Sequence, residues 1–150
     1  MTQVSADAHE IIPGLILGNG KVAVNFGLLK YMGVTHVLDC AIEIPTFHQN
    51  QGIVYKHIPL EDVPSQNISQ YFEDSFQFID NALRNGGKVF VHCAMGISRS
   101  ASMLVAYMMR KYGQSYSKVL THVRSIRAIA SPNPGFQAQL ITSSPTRPIV

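Results

Sequence analysis

Apolar and polar positions change their period several times along the chain, and each change marks an element. Ile11 to Leu17 reads as a strand broken by a turn at Pro13-Gly14. Lys21 to Tyr31 reads as a short helix stopped at Gly33. Thr35 to Ala41, centred on Val37-Leu38, reads as a buried strand, and Ile53 to Ile58 as another, closed by Pro59. A polar loop, Leu60 to Asn67, follows. Asn67 and Gln70 have capping-box spacing before a helix whose apolar face carries Ile68, Phe72, Phe76, Ile79 and Leu83, ended by Gly86-Gly87. Lys88-Val89-Phe90-Val91 reads as a buried strand, and Ser100 to Tyr112 as a helix that is apolar on most faces, which puts it under the middle of the fold. Ser115 can cap the next helix, with Val119, Leu120, Val123 and Ile126 inward and Lys118, Arg124 and Arg127 outward. Pro132-Asn133-Pro134 opens a last helix through Phe136 and Leu140. Strands alternating with helices predict an α/β fold: a central, mostly parallel sheet flanked by helices on both faces.

Length and composition narrow this picture. With 150 residues, 46% hydrophobic and 14% charged, the chain is expected to be one domain, 1–150, with one core. Ser143 to Val150, with two prolines, reads as a loose tail. A net charge of +3 favours anionic substrates but is too diffuse for nucleic acid, since lysines and arginines form no run. Cys40 and Cys93 make no disulfide framework, and neither they nor His36, His48, His57 and His122 show metal-ligand spacing, so no metal or other cofactor is expected. No apolar stretch reaches about 18 residues, so no membrane span is expected. Without a visible signal peptide, the cytosol or nucleus is the expected location.

The chemistry concentrates in His92-Cys93-Ala94-Met95-Gly96-Ile97-Ser98-Arg99-Ser100. A strand, a short glycine-containing loop and a helix N-terminus form a concave row of backbone N–H groups that suits an anion. Cys93 lies at its lip. Arg99 brings a planar guanidinium whose cation would oppose the helix dipole unless an anion sat between them. A free thiol near its ordinary value is only about 3% thiolate at pH 7. The donors from Ala94 to Arg99, the dipole and Arg99 would make that nucleophile abundant. Five intervening residues let the chain circle a tetrahedral anion once. The arrangement predicts in-line attack on phosphorus and a phosphocysteine, with Ser100 hydrogen-bonding the sulfur and His92 orienting its surroundings. A general acid must come from another loop; from composition, Glu61 or Asp62 could serve.

These residues resemble the dual-specificity phosphatases of the protein tyrosine phosphatase superfamily. The pattern His-Cys-x-x-Gly-x-Ser-Arg-Ser is met at every fixed position from His92 to Ser100. Ile12 to Gly18, Gly33 to Leu38, Tyr55 to Asp62 and Ser131 to Phe136 are similar to further family segments, so the likeness runs through nearly the whole chain. It implies a metal-independent phosphomonoesterase accepting phosphotyrosine and phosphoserine or phosphothreonine on protein substrates, as a small, atypical member or an isolated catalytic domain. In that alignment Asp62, not Glu61, takes the acid position. Ala94, Met95 and Ile97 stand where relatives acting on inositol phospholipids tend to carry lysines, which argues against a lipid substrate. Some relatives carry a second cysteine at the strand end occupied here by Cys40, which implies a reversible disulfide with Cys93 under oxidation. The competing expectation is a phosphoprotein-binding module of the same fold, which would be expected to lack Cys93, Arg99 or Asp62. A sulfur-transfer or arsenate-reducing enzyme fits the Gly-x-Ser-Arg-Ser ending less well.

Overall fold

Side-chain alternation along the central strands sorts two cores. In the computed structural model, which describes residues 3–144, Ile16, Val37 and Phe90 face one way, and Leu15, Leu17, Leu38, Val89 and Val91 the other. The strands are β1 (Gln3–Ser5), β2 (Ala8–Ile12), β3 (Leu15–Gly18), β4 (His36–Asp39), β5 (Val54–His57) and β6 (Val89–His92). They form one sheet in the order β1-β2-β3-β6-β4-β5. β3, β6, β4 and β5 run parallel, and β1 and β2 add antiparallel strands at one edge. The expected mostly parallel sheet is therefore present. The single broken strand expected over Ile11 to Leu17 is instead a hairpin, because the turn at Pro13-Gly14 reverses the chain.

The smaller core is covered by α1 (Gly20–Val24) and α2 (Phe26–Tyr31). One helix was expected here. Asn25 divides it, because its side-chain oxygen accepts the Leu28 N–H and starts a new helix instead of continuing the old one. The larger core is covered by α3 (Phe72–Arg84), α4 (Arg99–Tyr112), α5 (Tyr116–Ile126) and α6 (Pro134–Thr142). α4 is buried along most of its length, as its all-round apolar sequence predicts. Asn67 Oδ1 accepts the Ser69 hydroxyl and the Gln70 N–H of a 3-10 turn, Ser69–Tyr71, that leads into α3. The reciprocal half of the capping box is replaced: Gln70 donates through Nε2 to the Asn67 carbonyl instead of accepting the Asn67 N–H through Oε1. Ser115 caps α5 as expected, and Asn133, within the expected opening of the last helix, caps α6. Most of the expected loose tail lies outside the described residues, while Ser143 and Ser144 still hydrogen-bond back to α6.

β6 lies between β3 and β4, so its carboxyl end opens at the middle of the sheet edge, where open parallel sheets bind ligands. The loop into α4 starts there. No described helix is long and apolar enough to cross a membrane.

Candidate active site

Cys93 follows the last residue of β6 and is almost wholly buried at the base of the loop. Its sulfur is within hydrogen-bond reach of two donors: the Gly96 N–H at 3.3 Å and the Ser100 hydroxyl at 3.1 Å. The loop therefore curls back over the thiol. That curl needs Gly96. Its φ is +68°, and a Cβ there would stand 2.6 Å from the Gly18 carbonyl oxygen and 2.7 Å from Arg127 Nη2. Ala94 and Ile97 are half-buried, Ser98 is buried, and Met95 projects into solvent at the rim.

Arg99, the first residue of α4, is buried and held by another loop. Its Nη1 donates to Glu43 Oε1 at 2.6 Å and to the Leu60 carbonyl at 3.0 Å, and its Nη2 to Glu43 Oε2 at 2.8 Å. Glu43's hydrogen bonds, outweighing burial, raise the guanidinium's already high pKa, and the same bonds hold the Glu43 carboxyl below its usual range. A guanidinium has five N–H groups. Three are used in this clamp, which leaves Nε–H and one Nη2–H as a side-by-side pair suited to two oxygens of one anion. Nothing in the sequence signals this clamp between Glu43 and Arg99.

Arg127 corrects an expectation. It was assigned to the outer face of α5 and is instead 1% exposed. Its Nε donates to the Gly96 carbonyl at 2.9 Å and its Nη2 to the Met95 carbonyl at 3.2 Å, while Nη1 reaches the Ala6 carbonyl and His9 Nδ1, each at 3.0 Å. By drawing loop carbonyls outward it leaves the loop amides to face the concave side. The signal was in the spacing: Val119, Val123 and Arg127 are successive i,i+4 positions on the inward face. Lys118 and Arg124 are exposed, as expected.

Asp62 is exposed in the loop after Pro59, and its Oδ1 accepts the Asn133 side-chain amide at 2.9 Å. Asn133 also caps α6 through Phe136 N–H, and its own N–H donates to Ser98 Oγ at 2.9 Å. One residue thus ties the Asp62 loop, the Cys93 loop and α6 together. Gly135 closes the joint, since a Cβ there would collide with the Pro64 carbonyl oxygen. Glu61 is exposed, and its backbone N–H, not its carboxyl, is anchored, by Gln66.

His92 is fully buried under the loop and stacks on Phe90, with ring centroids 5.5 Å apart. Burial draws its pKa down to about 4. Cys40 is buried just past the end of β4, and its N–H donates to the His92 carbonyl at 2.8 Å. Burial, with Cys93 and Asp39 nearby, pushes the Cys40 thiol well above its ordinary value. Both cysteines are free thiols.

Comparison with known proteins agrees with this chemistry. The family described as dual specificity phosphatase, catalytic domain, matches residues 15–144. The dual specificity protein phosphatase 1B of Arabidopsis thaliana is 42% identical over 134 residues, which is 89% of this chain and 80% of that protein. The crystal structure of DUSP15 superposes with a TM-score of 0.87 at 34% identity, over 92% of this chain and 87% of the other. A human tyrosine phosphatase-like serine/threonine/tyrosine-interacting protein superposes with a TM-score of 0.84 at 36% identity, over 91% and 94%. The cysteine loop at the centre of the sheet edge, and the likeness that runs with it from β3 to the end of α6, place this chain in the dual specificity phosphatase family.

Proposed function

We propose that this protein phosphatase hydrolyses phosphotyrosine and phosphoserine or phosphothreonine on proteins through a phosphocysteine formed on Cys93. The observation that carries the reading is the loop itself: a buried sulfur facing an amide donor and a hydroxyl, with two unused guanidinium N–H groups at its base. Phosphate oxygens take the amides from Ala94 to Arg99 and the free edge of Arg99. Cys93 attacks phosphorus in line as the ester oxygen leaves with the proton of Asp62. In the second step Asp62 takes a proton from the attacking water. The sulfur leaves as an anion stabilised by the Ser100 hydroxyl and the Gly96 N–H. His92, neutral and enclosed, orients the start of the loop.

Hydrolysis of an aryl phosphate in the presence of a chelator tests this. Wild type turns over and Cys93→Ser does not; equal rates in the two would overturn the mechanism. The second reading, a phosphoprotein-binding module, is favoured only by the likeness to a protein named for interaction. The presence of Cys93, Arg99 and Asp62 together weighs against it.

Cys40 is the proposed redox partner. Peroxide oxidises the Cys93 thiolate to a sulfenic acid, and the Cys40 thiol then displaces hydroxide, which leaves with the thiol proton as water, to give a disulfide. The backbone contact between Cys40 and His92 supports this. Wild type recovers with dithiothreitol after peroxide treatment while Cys40→Ser does not; equal recovery would remove Cys40 from the scheme.

A further inference from the structure

A fully buried carboxyl lies behind the nucleophile. Asp39 ends β4 and is the register partner of His92 on β6, so its side chain and the imidazole lie side by side beneath the loop. Asp39 Oδ1 accepts the Ala41 N–H at 3.0 Å. Asp39 Oδ2 and His92 Nε2 are both buried without a hydrogen-bond partner. Nε2 stands 3.8 Å from Oδ1, and His57 Nε2, on β5, stands 3.7 Å from Oδ2 while donating to the Ala41 carbonyl at 2.8 Å. The other charged or titratable groups facing this pair are Tyr55 on β5, Glu43 from the loop after β4, Arg99 from the start of α4, and the thiols Cys40 and Cys93.

Hydrogen-bond chemistry fixes what these atoms need. His92 Nδ1 faces the Cys93 carbonyl, an acceptor, at 3.4 Å. Nδ1 therefore carries the ring proton, and a neutral ring turns a lone pair at Nε2 toward Asp39. A carboxylate would set two acceptors against each other in a space without solvent. We propose that Asp39 is kept as a carboxylic acid whose proton lies toward His92 Nε2, and that this uncharged pair is a positioning element for the Cys93 nucleophile. The direct hydrogen bond needs a closure of about 1 Å. The inference rests on Cys93 being the nucleophile.

Burial, the largest influence on each group, acts in opposite directions: it pushes Asp39 up to about 7 and draws His92 down to about 4. Between about pH 4 and 6.5 folding thus moves one proton from ring to carboxyl and replaces two separate charges of the unfolded chain with a neutral pair. Above about pH 7 the carboxyl ionises. Its charge then competes with the thiolate and the substrate phosphate for the same positive field.

The test is the pH profile of kcat/KM on an aryl phosphate with a good leaving group. It is run in the Asp62→Asn background so that the general acid contributes no alkaline limb. The parent falls about fivefold between about pH 6 and 8, and adding Asp39→Asn, whose amide also donates to Nε2, holds the profile flat within about twofold. Superimposable profiles would overturn the inference and leave the Cys93 mechanism standing; activity in Cys93→Ser would overturn the mechanism itself. A second measurement needs no variant. Nitrogen NMR of wild-type His92 near pH 6 should find Nδ1 protonated and Nε2 bare, and a doubly protonated ring there would also overturn it.

Discussion

The two loops that meet at the sheet edge are built in opposite ways. The Cys93 loop is buried except at its rim and is held from behind: Arg127 grips its carbonyls, Asn133 reaches Ser98, and Gly96 permits the curl. The Asp62 loop is exposed, and its carboxyl has a single side-chain hydrogen bond, from Asn133. A row of aimed amides must be rigid before substrate arrives, because its value lies in needing no reorganisation. A proton donor needs reach, and an exposed, lightly tethered carboxyl has it. The difference predicts that damage to the first loop is felt by every substrate, whereas damage to the second is felt in proportion to how badly the leaving group needs a proton.

The largest effect that separates the loops is expected from Asp62→Asn. It should slow alkyl phosphates by about 10²–10³-fold and aryl phosphates with good leaving groups by less than about tenfold. A uniform loss across leaving groups, measured as a plot of log kcat against leaving-group pKa, would remove Asp62 from the acid role. Arg127→Met comes next. It strands the carbonyls of Gly96, Met95 and Ala6, so denaturant melts should show a loss of about 2–4 kcal/mol. Activity should fall about 10–100-fold with no dependence on the leaving group. Asn133→Ala is smaller: about three- to tenfold, confined to poor leaving groups if its hold on Asp62 matters most, and uniform if its hold on Ser98 does.

The smallest effect is a tilt in stability with pH. Asp39 has a folded pKa raised to about 7, so its contribution is complete at low pH and is lost as pH rises through that value. His92 has a folded pKa lowered to about 4, so its contribution is present above its ordinary value and is lost as pH falls toward 4. In wild type the two slopes offset each other between about pH 4 and 6.5. Asp39→Asn removes only the first, so its stability relative to wild type rises with pH across that window. Denaturant midpoints at several pH values would show this, and a constant difference would contradict it.

What could be read from the sequence follows the same division. The Cys93 loop is local: strand, turn and helix start are contiguous, and their residue types state the chemistry. The sheet was legible because Val37-Leu38 and Val89-Phe90-Val91 alternate or run apolar beside clear turn residues. The supports were not legible, because each acts across a long sequence separation on a backbone atom that carries no residue-type signal. Glu43 clamps Arg99 across 56 residues, and Arg127 reaches Gly96 across 31. Arg127 was assigned outward on charge alone, although its place at the end of α5, four residues after Val123, set it on the inward side. A buried arginine is tolerable there only because loop carbonyls supply its partners. Asp39 reads as one more residue at a strand end until His92 is placed beside it.

Every role assigned to the two loops depends on Cys93 carrying the phosphoryl group. Turnover quenched in denaturant and followed by peptide mass spectrometry tests this most directly. Phosphate should be found covalently on the peptide containing Cys93, and should disappear with Cys93→Ser together with activity. Steady turnover with no phosphate on that peptide, and an active Cys93→Ser variant, would contradict it.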